Sequence, residues 1–328
     1  PTITFFYKIF ASLHGLTKTF VYVKRIFSVI TDPQDALTAA NLCLQKHYAY
    51  DLGKAWMGDG LLISSGEIWK RHRKLLTPAF SLPVLHGFLD VFNSQSKRLA
   101  SSMEPNVGKG SFNHNPYLTD NSLETFCVTA LGINAIDDLE FTQKYMKAGY
   151  AMVDLAVSRA IKFWLQNDFI FRLSGLKKKE EELVNTLHAM TNKVSKNVSI
   201  LGKHVSSKHI NIFLKPFLGL LLELSKNGAL TDKEVREETD IIIAAGFETT
   251  ANQLTYTLLL LGEHPEVQEK VYEEIIEVLG ADGDVDKNDV NKLVYTNAVL
   301  MECLRLYPTV PLVIRSVNED VKLSKIFI

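Results

Sequence analysis

The sequence predicts a mainly α-helical protein with only minor strands, and three observations lead to this fold class. Apolar residues recur at helical spacing through most of the chain after residue 116. Residues that start and stop helices flank the longest of these segments. Hydrophobic residues make up 46% of the 328 positions and charged residues 22%, as in an ordinary globular protein. This length accommodates one large domain or two smaller ones.

The first part of the chain alternates short elements with loops. A short strand is predicted over residues 25–30, followed by a helix over 33–44 whose first residue is a proline. Residues 51–63 are rich in glycine and predict a loop. A helix is predicted over 65–80, with a proline near its end, and residues 107–116 predict a further loop.

The best-defined helix of the second part is predicted over residues 231–261. It begins with a threonine that is followed three residues later by a glutamate, which is the spacing of a capping box. Gly262 is expected to end this helix. Further helices are predicted over 265–279, which opens with a proline, and over about 294–306.

Charge and cysteine content exclude some classes of protein. The 36 basic and 37 acidic residues give a formal net charge of −1, whereas a nucleic-acid partner requires a strongly basic surface. The three cysteines (Cys43, Cys127 and Cys303) are odd in number and far apart, which predicts no disulfide framework and a reducing compartment. Cys43 and His47 could form half of a metal site, but no second pair of ligands is evident.

Residues 244–250, Ala-Ala-Gly-Phe-Glu-Thr-Thr, lie inside the long predicted helix and weaken it. A glycine costs about 1 kcal/mol relative to alanine in a helix interior, and the paired threonines are also unfavourable. Ala245 and Thr249 share one face, where the hydroxyl can bond the carbonyl four residues back. Small residues would let a flat ligand approach the backbone here, and Glu248 could feed protons to it. The alternative is a core helix with a tight crossing at Gly246.

Two further pairs of residues have suggestive spacing. Trp69 and Arg73 project from one helix face, so the indole N–H and the guanidinium can donate to one anionic group. The alternative is a basic surface helix with a half-buried tryptophan. Glu302 and Arg305 are three residues apart and form an intrahelical pair, which when exposed is worth about 0.2–0.5 kcal/mol and says little alone.

In their order along the chain, these motifs resemble those of the cytochrome P450 family of haem-thiolate monooxygenases. Residues 60–80 are most similar to the microsomal family-four clan of that family. The resemblance covers residues 1–328 as a single, incomplete domain that is mainly α with small β-sheets. The matching residues are Trp69-x-x-x-Arg73, Ala245-Gly246-x-Glu248-Thr249-Thr250, Glu302-x-x-Arg305 and, in the following strand, Arg315.

The resemblance implies a role for each matching residue. Trp69, Arg73 and Arg315 would bind the propionates of haem b. Ala245 and Gly246 would let the helix lie across the haem face. Thr249 would handle dioxygen and Glu248 would relay protons, while Glu302 and Arg305 would brace the core.

Two more implications concern the pocket and the attachment of the haem. An apolar substrate pocket would be lined by Phe247, residues 310–313 and the loop over 54–64. Some members of the clan tether the haem covalently through a glutamate that precedes the motif glycine. Ala245 occupies that position here, so a non-covalent haem is expected.

The implied activity is the insertion of one oxygen atom of O2 into a lipophilic substrate, namely a fatty acid, a terpenoid or a xenobiotic. Electrons would come from a NADPH-linked reductase, at the cytosolic face of the endoplasmic reticulum membrane. The axial cysteine is expected beyond Ile328 and a membrane anchor before Pro1, so the chain is predicted to be a fragment that is inactive alone. The alternatives are a non-catalytic truncated product and a helical lipid-binding protein.

Overall fold

The computed structural model describes residues 28–132, 139–204 and 217–324. The first of these ranges is built from short and medium helices joined by single turns of 3₁₀-helix. Its helices are α1 (Pro33–Leu42), α2 (Lys54–Met57), α3 (Gly66–Leu76), α4 (Leu82–His86), α5 (Leu89–Met103) and α6 (Asn115–Phe126).

Longer helices follow in the rest of the chain. They are α7 (Leu139–Ile161), α8 (Asp168–Leu173), α9 (Leu176–His204), α10 (Phe217–Lys226), α11 (Asp232–Gly246), α12 (Glu248–Glu263), α13 (Pro265–Leu279) and α14 (Val294–Leu306). The mainly α-helical prediction is confirmed. Within the described ranges, β-structure is limited to isolated bridges, one of which pairs Lys46 with Arg315.

The sequence signals for helix ends are accurate where a proline or a cap specifies them. The Asp32 side chain accepts two backbone N–H bonds of 3.0 Å at the start of α1. Thr231 and Glu234 form the predicted capping box at the start of α11. Helices α13 and α14 have the predicted bounds. Helix α1 ends at Leu42, before the predicted residue 44.

Two predictions about local structure are wrong, and a third falls half outside the described residues. Residues 51–63 are not only a loop, because the 3₁₀-helix Tyr48–Gly53 ends there and α2 lies within this range. The helix predicted over 65–80 becomes 3₁₀ at Thr77, where the following proline has no N–H to continue an α-helix. Of the strand predicted over 25–30, only residues 28–30 are described, and they have no regular structure.

The long helix predicted over 231–261 is interrupted at one residue. Helix α11 ends at Gly246, and Phe247 (φ −105°, ψ −41°) separates it from α12. Gly262 does not end α12, which continues to Glu263. The interruption coincides with the glycine and the two threonines that weaken a helix. The sequence therefore indicated the weak point but not the separation into two helices.

The core lies where α11 and α12 cross the earlier helices. Helix α9 packs on α7, α11 packs on α9 and α2, and α12 packs on α6 and α14. The buried cluster at this crossing contains Trp56, Phe126, Tyr145 and Phe247. In the three described ranges, no helix is both long and apolar enough to cross a bilayer.

Candidate active site

Helix α3 presents Trp69 and Arg73 on its outer side. Trp69 is half-buried and Arg73 is exposed. The two basic residues nearest to them are already paired, because Lys70 donates to Glu67 at 2.8 Å and Arg71 contacts Glu234. Among the described residues, no side chain accepts from the Arg73 guanidinium or from the Trp69 indole. Both donors are therefore available to an anion that is not part of the described chain.

Lys46 and Arg315 lie together at the start of α3. Their backbones form an antiparallel bridge, and the Lys46 N–H donates to Ser65 Oγ at 2.9 Å. Ser65 precedes the first residue of α3, one turn before Trp69. The bridge therefore brings Arg315 to the helix end that bears Trp69.

The charge of Lys46 is only partly compensated. Its ammonium donates to the carbonyls of Leu61 and Leu62, both at 2.6 Å. Burial and the charge of Arg315 lower the pKa of Lys46 to about 8, against an opposing effect of Glu238. The two neighbouring cations repel each other, so an anion placed between them would be stabilised by both charges. No sequence motif marked Lys46.

A cavity of about 110 Å³ has Leu62, whose carbonyl binds Lys46, in its wall. Neither Lys46 nor the predicted propionate donors Trp69, Arg73 and Arg315 line this cavity. The lining is mostly apolar, and it consists of Trp56, Met57, Leu62, Tyr145, Met146, Gly149, Tyr150, Val153, Ala244, Ala245, Phe247 and Glu248. The wall thus joins α2 and α7 to the interruption between α11 and α12.

The predicted pocket lining is correct only in part. Phe247 and members of the 54–64 loop line the cavity. Residues 310–313 do not, and Val310, Leu312 and Val313 are at least 49% exposed. The contribution of α7 was missed, since no motif marks Tyr145 or Tyr150.

Glu248 and Thr249 occupy different positions at the interruption. Glu248 lines the cavity, and burial raises the pKa of its carboxyl group, which favours the protonated form. Burial also raises the pKa of the neighbouring Tyr150 to about 12, with a contribution from the Glu248 charge. The half-buried Thr249 donates its hydroxyl hydrogen to the Ala245 carbonyl at 2.8 Å.

Gly246 is required for a close crossing of helices. A Cβ atom at this position would stand 2.1 Å from Cε2 of Phe126 in α6. The tight crossing considered from the sequence is therefore present. Ala245, the preceding residue, is exposed and lines the cavity. The two small residues thus have different neighbours.

Glu302 and Arg305 form the expected intrahelical pair. Two hydrogen bonds of 2.7 Å join the guanidinium to the carboxylate, and they lower the pKa of Glu302. Both side chains are more than half exposed. The pair therefore stands on the surface of α14 rather than in the core.

A buried pair, formed by His72 of α3 and Glu238 of α11, joins the two helices. His72, located between Trp69 and Arg73, contacts Glu238 Oε1 through Nδ1 at 2.6 Å. The same oxygen accepts the Leu61 N–H at 2.9 Å. Both side chains are 1% exposed. Sequence reasoning missed this pair, although a histidine on the buried face of a basic helix was a signal for it.

The described cysteines are buried and carry free thiols. Burial raises the pKa of Cys127 to about 12, and none of the three lines the cavity. Cys43 packs against Val321 and Leu323. In the described part of the chain, no group of three or more His, Cys, Asp or Glu side chains could hold a metal ion.

Comparison with known proteins identifies the family. The family model described as Cytochrome P450 matches residues 24–328. The chain belongs to the cytochrome P450 family. Cytochrome P450 4c3 of Drosophila melanogaster is 36% identical over 298 residues, which cover 86% of this chain and 56% of that protein.

Two further relatives have similar coverage. Cytochrome P450 4V2 of Homo sapiens is 33% identical over 292 residues, covering 86% of this chain and 56% of that protein. Cytochrome P450 4c21 of Blattella germanica is 32% identical over 290 residues, covering 86% and 58%. These relatives place this P450 in family 4, as its motifs indicated. The chain spans little more than half the length of the curated relatives it matches.

Membership of this family implies a haem cofactor, and the residues present fit one. A haem carries two carboxylates on a flat, apolar ring. Arg73 and Trp69 are donors without an acceptor in the described chain, and Lys46 and Arg315 form a cationic pair whose charge is only partly compensated. The exposed Ala245 is a small residue beside the helix interruption. These features match the donor set that the haem carboxylates require.

Proposed function

We propose that this chain forms the oxygen-activating part of a haem-dependent monooxygenase that acts on a lipophilic substrate. The observation that carries the proposal is the junction at Leu62. Its carbonyl binds the ammonium of Lys46, and the same residue lines the apolar cavity. Donors for an acidic cofactor and a pocket for an apolar substrate therefore share one wall.

The proposal divides the work among named residues. Trp69, Arg73 and Arg315 would hold the haem propionates, and we add Lys46 to this set. When bound, the haem would supply oxygen activation. Glu248 would hold a proton at the edge of the cavity, where burial favours its protonated form.

The remaining assignments concern the positions around the interruption. Ala245 would border the cofactor. Gly246 would instead allow its helix to pack closely against Phe126. Glu302 and Arg305 would stabilise the region next to the cofactor. The axial cysteine would be supplied from outside residues 1–328, because none of the three cysteines present lines the cavity. Residues 1–328 alone would then be inactive.

The wider assignments follow the family. The substrate would be a fatty acid, a terpenoid or a xenobiotic, and the haem would be haem b, held without an ester bond. A NADPH-linked reductase would deliver electrons at the cytosolic face of the endoplasmic reticulum membrane. A helical lipid-binding protein remains the alternative, and it predicts no uptake of haem.

Arg73→Ala is expected to weaken haem retention about tenfold to a hundredfold in the haem-loaded full-length protein. Removing one charged donor from a carboxylate costs about 1.5–3 kcal/mol, and 1.4 kcal/mol corresponds to a factor of ten. The rate of haem transfer to an excess of a haem-scavenging protein measures this loss. Lys74→Ala is the control, because Lys74 is an exposed cation on the same helix. Equal rates for both variants and the wild type would contradict the propionate assignment.

In the haem-loaded full-length protein that would contain residues 1–328, Thr249→Ala is expected to separate reductant consumption from product formation. The hydroxyl donates its hydrogen to Ala245, so its oxygen remains able to accept a bond beside the cavity. Loss of this group should raise the peroxide formed per NADPH several-fold, while haem content stays unchanged. Thr250→Ala is the matched control, because Thr250 is the exposed neighbour. Unchanged coupling in Thr249→Ala would refute the oxygen-handling role.

A further inference from the structure

The cavity beside the helix interruption combines aromatic side chains with a single charge. Four of its lining residues are aromatic, namely Trp56, Tyr145, Tyr150 and Phe247. Glu248 is the one charged residue among the described residues of the wall, and none of them is a lysine, an arginine or a histidine. The wall is therefore acidic at one point and apolar or aromatic around it.

Glu248 has no partner for its carboxylate. It is the first residue of α12 and is half-buried. Within the described residues, no cation forms an ion pair with it and no hydroxyl or N–H donates to it. Burial raises the pKa of this carboxyl group, and a cation beside it would oppose that effect because it favours the ionised form.

The charge of a ligand decides how well it complements this wall. A carboxylate in the cavity would meet the like charge of Glu248 and would find no basic side chain among the described lining residues. An uncharged ligand would leave the half-buried acid unpaired. An ammonium group pairs with the carboxylate and is also attracted to aromatic rings, which is how proteins bind methylated ammonium ligands. A cation is therefore the complementary ligand.

The cavity has space for such a group and a route of entry. Its volume is about 110 Å³, whereas one water molecule needs about 10–15 Å³. Leu62, Tyr150 and Val153 line the cavity and are at least 40% exposed, so its wall reaches the surface of the described part of the chain. A ligand can thus place a compact group inside and extend an apolar body over these residues.

We propose that this cavity binds the substituted ammonium group of a lipophilic amine, with Glu248 as the counter-ion and the aromatic side chains around the cation. Binding itself requires neither haem nor turnover. Only the identification of the amine as the substrate rests on the proposed monooxygenase function, where it narrows the substrate class to basic compounds. An amine that enters uncharged takes up the proton of Glu248, so the ion pair still holds one proton at the edge of the cavity.

Three compact probes that differ in charge test the site in the full-length protein loaded with haem. Choline carries a trimethylammonium group, and its quaternary nitrogen has no lone pair with which to coordinate iron. The alcohol 3,3-dimethylbutan-1-ol has the same shape with an uncharged tert-butyl group, and 3,3-dimethylbutanoate carries a carboxylate in place of the alcohol. Isothermal titration calorimetry should show that choline binds about tenfold more tightly than the alcohol and that the carboxylate binds most weakly.

Variants connect this preference to Glu248. Glu248→Gln keeps the size of the side chain and removes its charge, so the preference for choline should fall below about twofold. Glu248→Lys reverses the charge, and 3,3-dimethylbutanoate should then bind most tightly. Glu263→Gln is the matched control, because Glu263 is an exposed acid at the other end of α12.

A variant of the aromatic wall gives an independent measurement. Tyr150→Leu removes a ring that is 40% exposed, so the change places little strain on the fold. It should reduce the preference for choline about threefold, and it serves if the Glu248 variants fail to fold.

The outcomes separate this site from the monooxygenase proposal. A choline preference that Glu248→Gln abolishes and Glu263→Gln retains supports the site. Equal affinities of the wild-type protein for choline and the alcohol overturn it, as does a preference that survives in Glu248→Gln. The same titrations on protein without haem keep the two proposals apart, because a protein that takes up no haem contradicts the monooxygenase function whatever its affinity for choline.

Discussion

Replacing Glu238 with alanine is expected to lower the free energy of unfolding by about 3–5 kcal/mol, since one partner of a buried charged pair is removed. Glu238 accepts the N–H of Leu61 and contacts His72, and both groups would lose their main partner. Urea denaturation at pH 7 measures the change. Glu67→Ala is the control, because the exposed bridge from Glu67 to Lys70 should contribute less than about 1 kcal/mol.

The same pair predicts how stability depends on pH. Glu238 raises the pKa of His72 through their hydrogen bond, against the opposing effects of burial and of the Arg71 charge, and Glu234 adds to the rise. A raised pKa in the folded state stabilises the protein below the ordinary histidine value of 6.5. This stability is lost as the pH rises through the folded-state pKa. In Glu238→Ala the loss should be much smaller.

Glu234 titrates in a separate pH range and so does not obscure this test. Burial opposes its ionisation, but bonds from Thr231, Arg71 and His72 prevail and lower the pKa of Glu234 to about 2. Its contribution to stability is therefore present above the ordinary value of 4.5 and is lost as the pH falls towards 2. An identical pH dependence in the wild type and in Glu238→Ala would contradict the role given to His72.

Local signals in the sequence predicted the fold class and several helix ends. Capping residues and prolines act within one turn, so the starts of α11 and α13 could be read from a few neighbouring residues. The weak point at Gly246 was also visible locally. Whether a weak point becomes an interruption depends on packing against α6, which local sequence does not specify.

The candidate site was predictable only where a motif marks it. Trp69, Arg73 and Arg315 were found because their spacing resembles that of a known family. Lys46 lies next to Arg315 because the two backbones form a bridge between segments that are distant in sequence. The buried pair of His72 and Glu238 likewise requires α3 to pack against α11, which is distant in sequence. Contacts between distant segments leave no local pattern, so they could not be inferred from one sequence.

Gly246→Ala is expected to lower the free energy of unfolding by about 1–3 kcal/mol, which is the usual cost of overpacking a core. The new methyl would stand 2.1 Å from the buried ring of Phe126, so either the ring or the helix must move. An alanine elsewhere in a helix would have the opposite effect, since it is favoured over glycine by about 1 kcal/mol. Thermal and urea denaturation measure the sign and size of the change.

Gly262→Ala provides the opposite expectation within the next helix. Apart from its chain neighbours and the backbone of its own helix, nothing described lies within 4 Å of a Cβ at Gly262, so this variant should be neutral or more stable by up to about 1 kcal/mol. Adding Phe126→Leu to Gly246→Ala should restore part of the lost stability, because the smaller side chain makes room for the methyl. If Gly246→Ala were as stable as Gly262→Ala, the crossing would tolerate a side chain. The need for glycine at position 246 would then come from the space reserved for the cofactor rather than from Phe126.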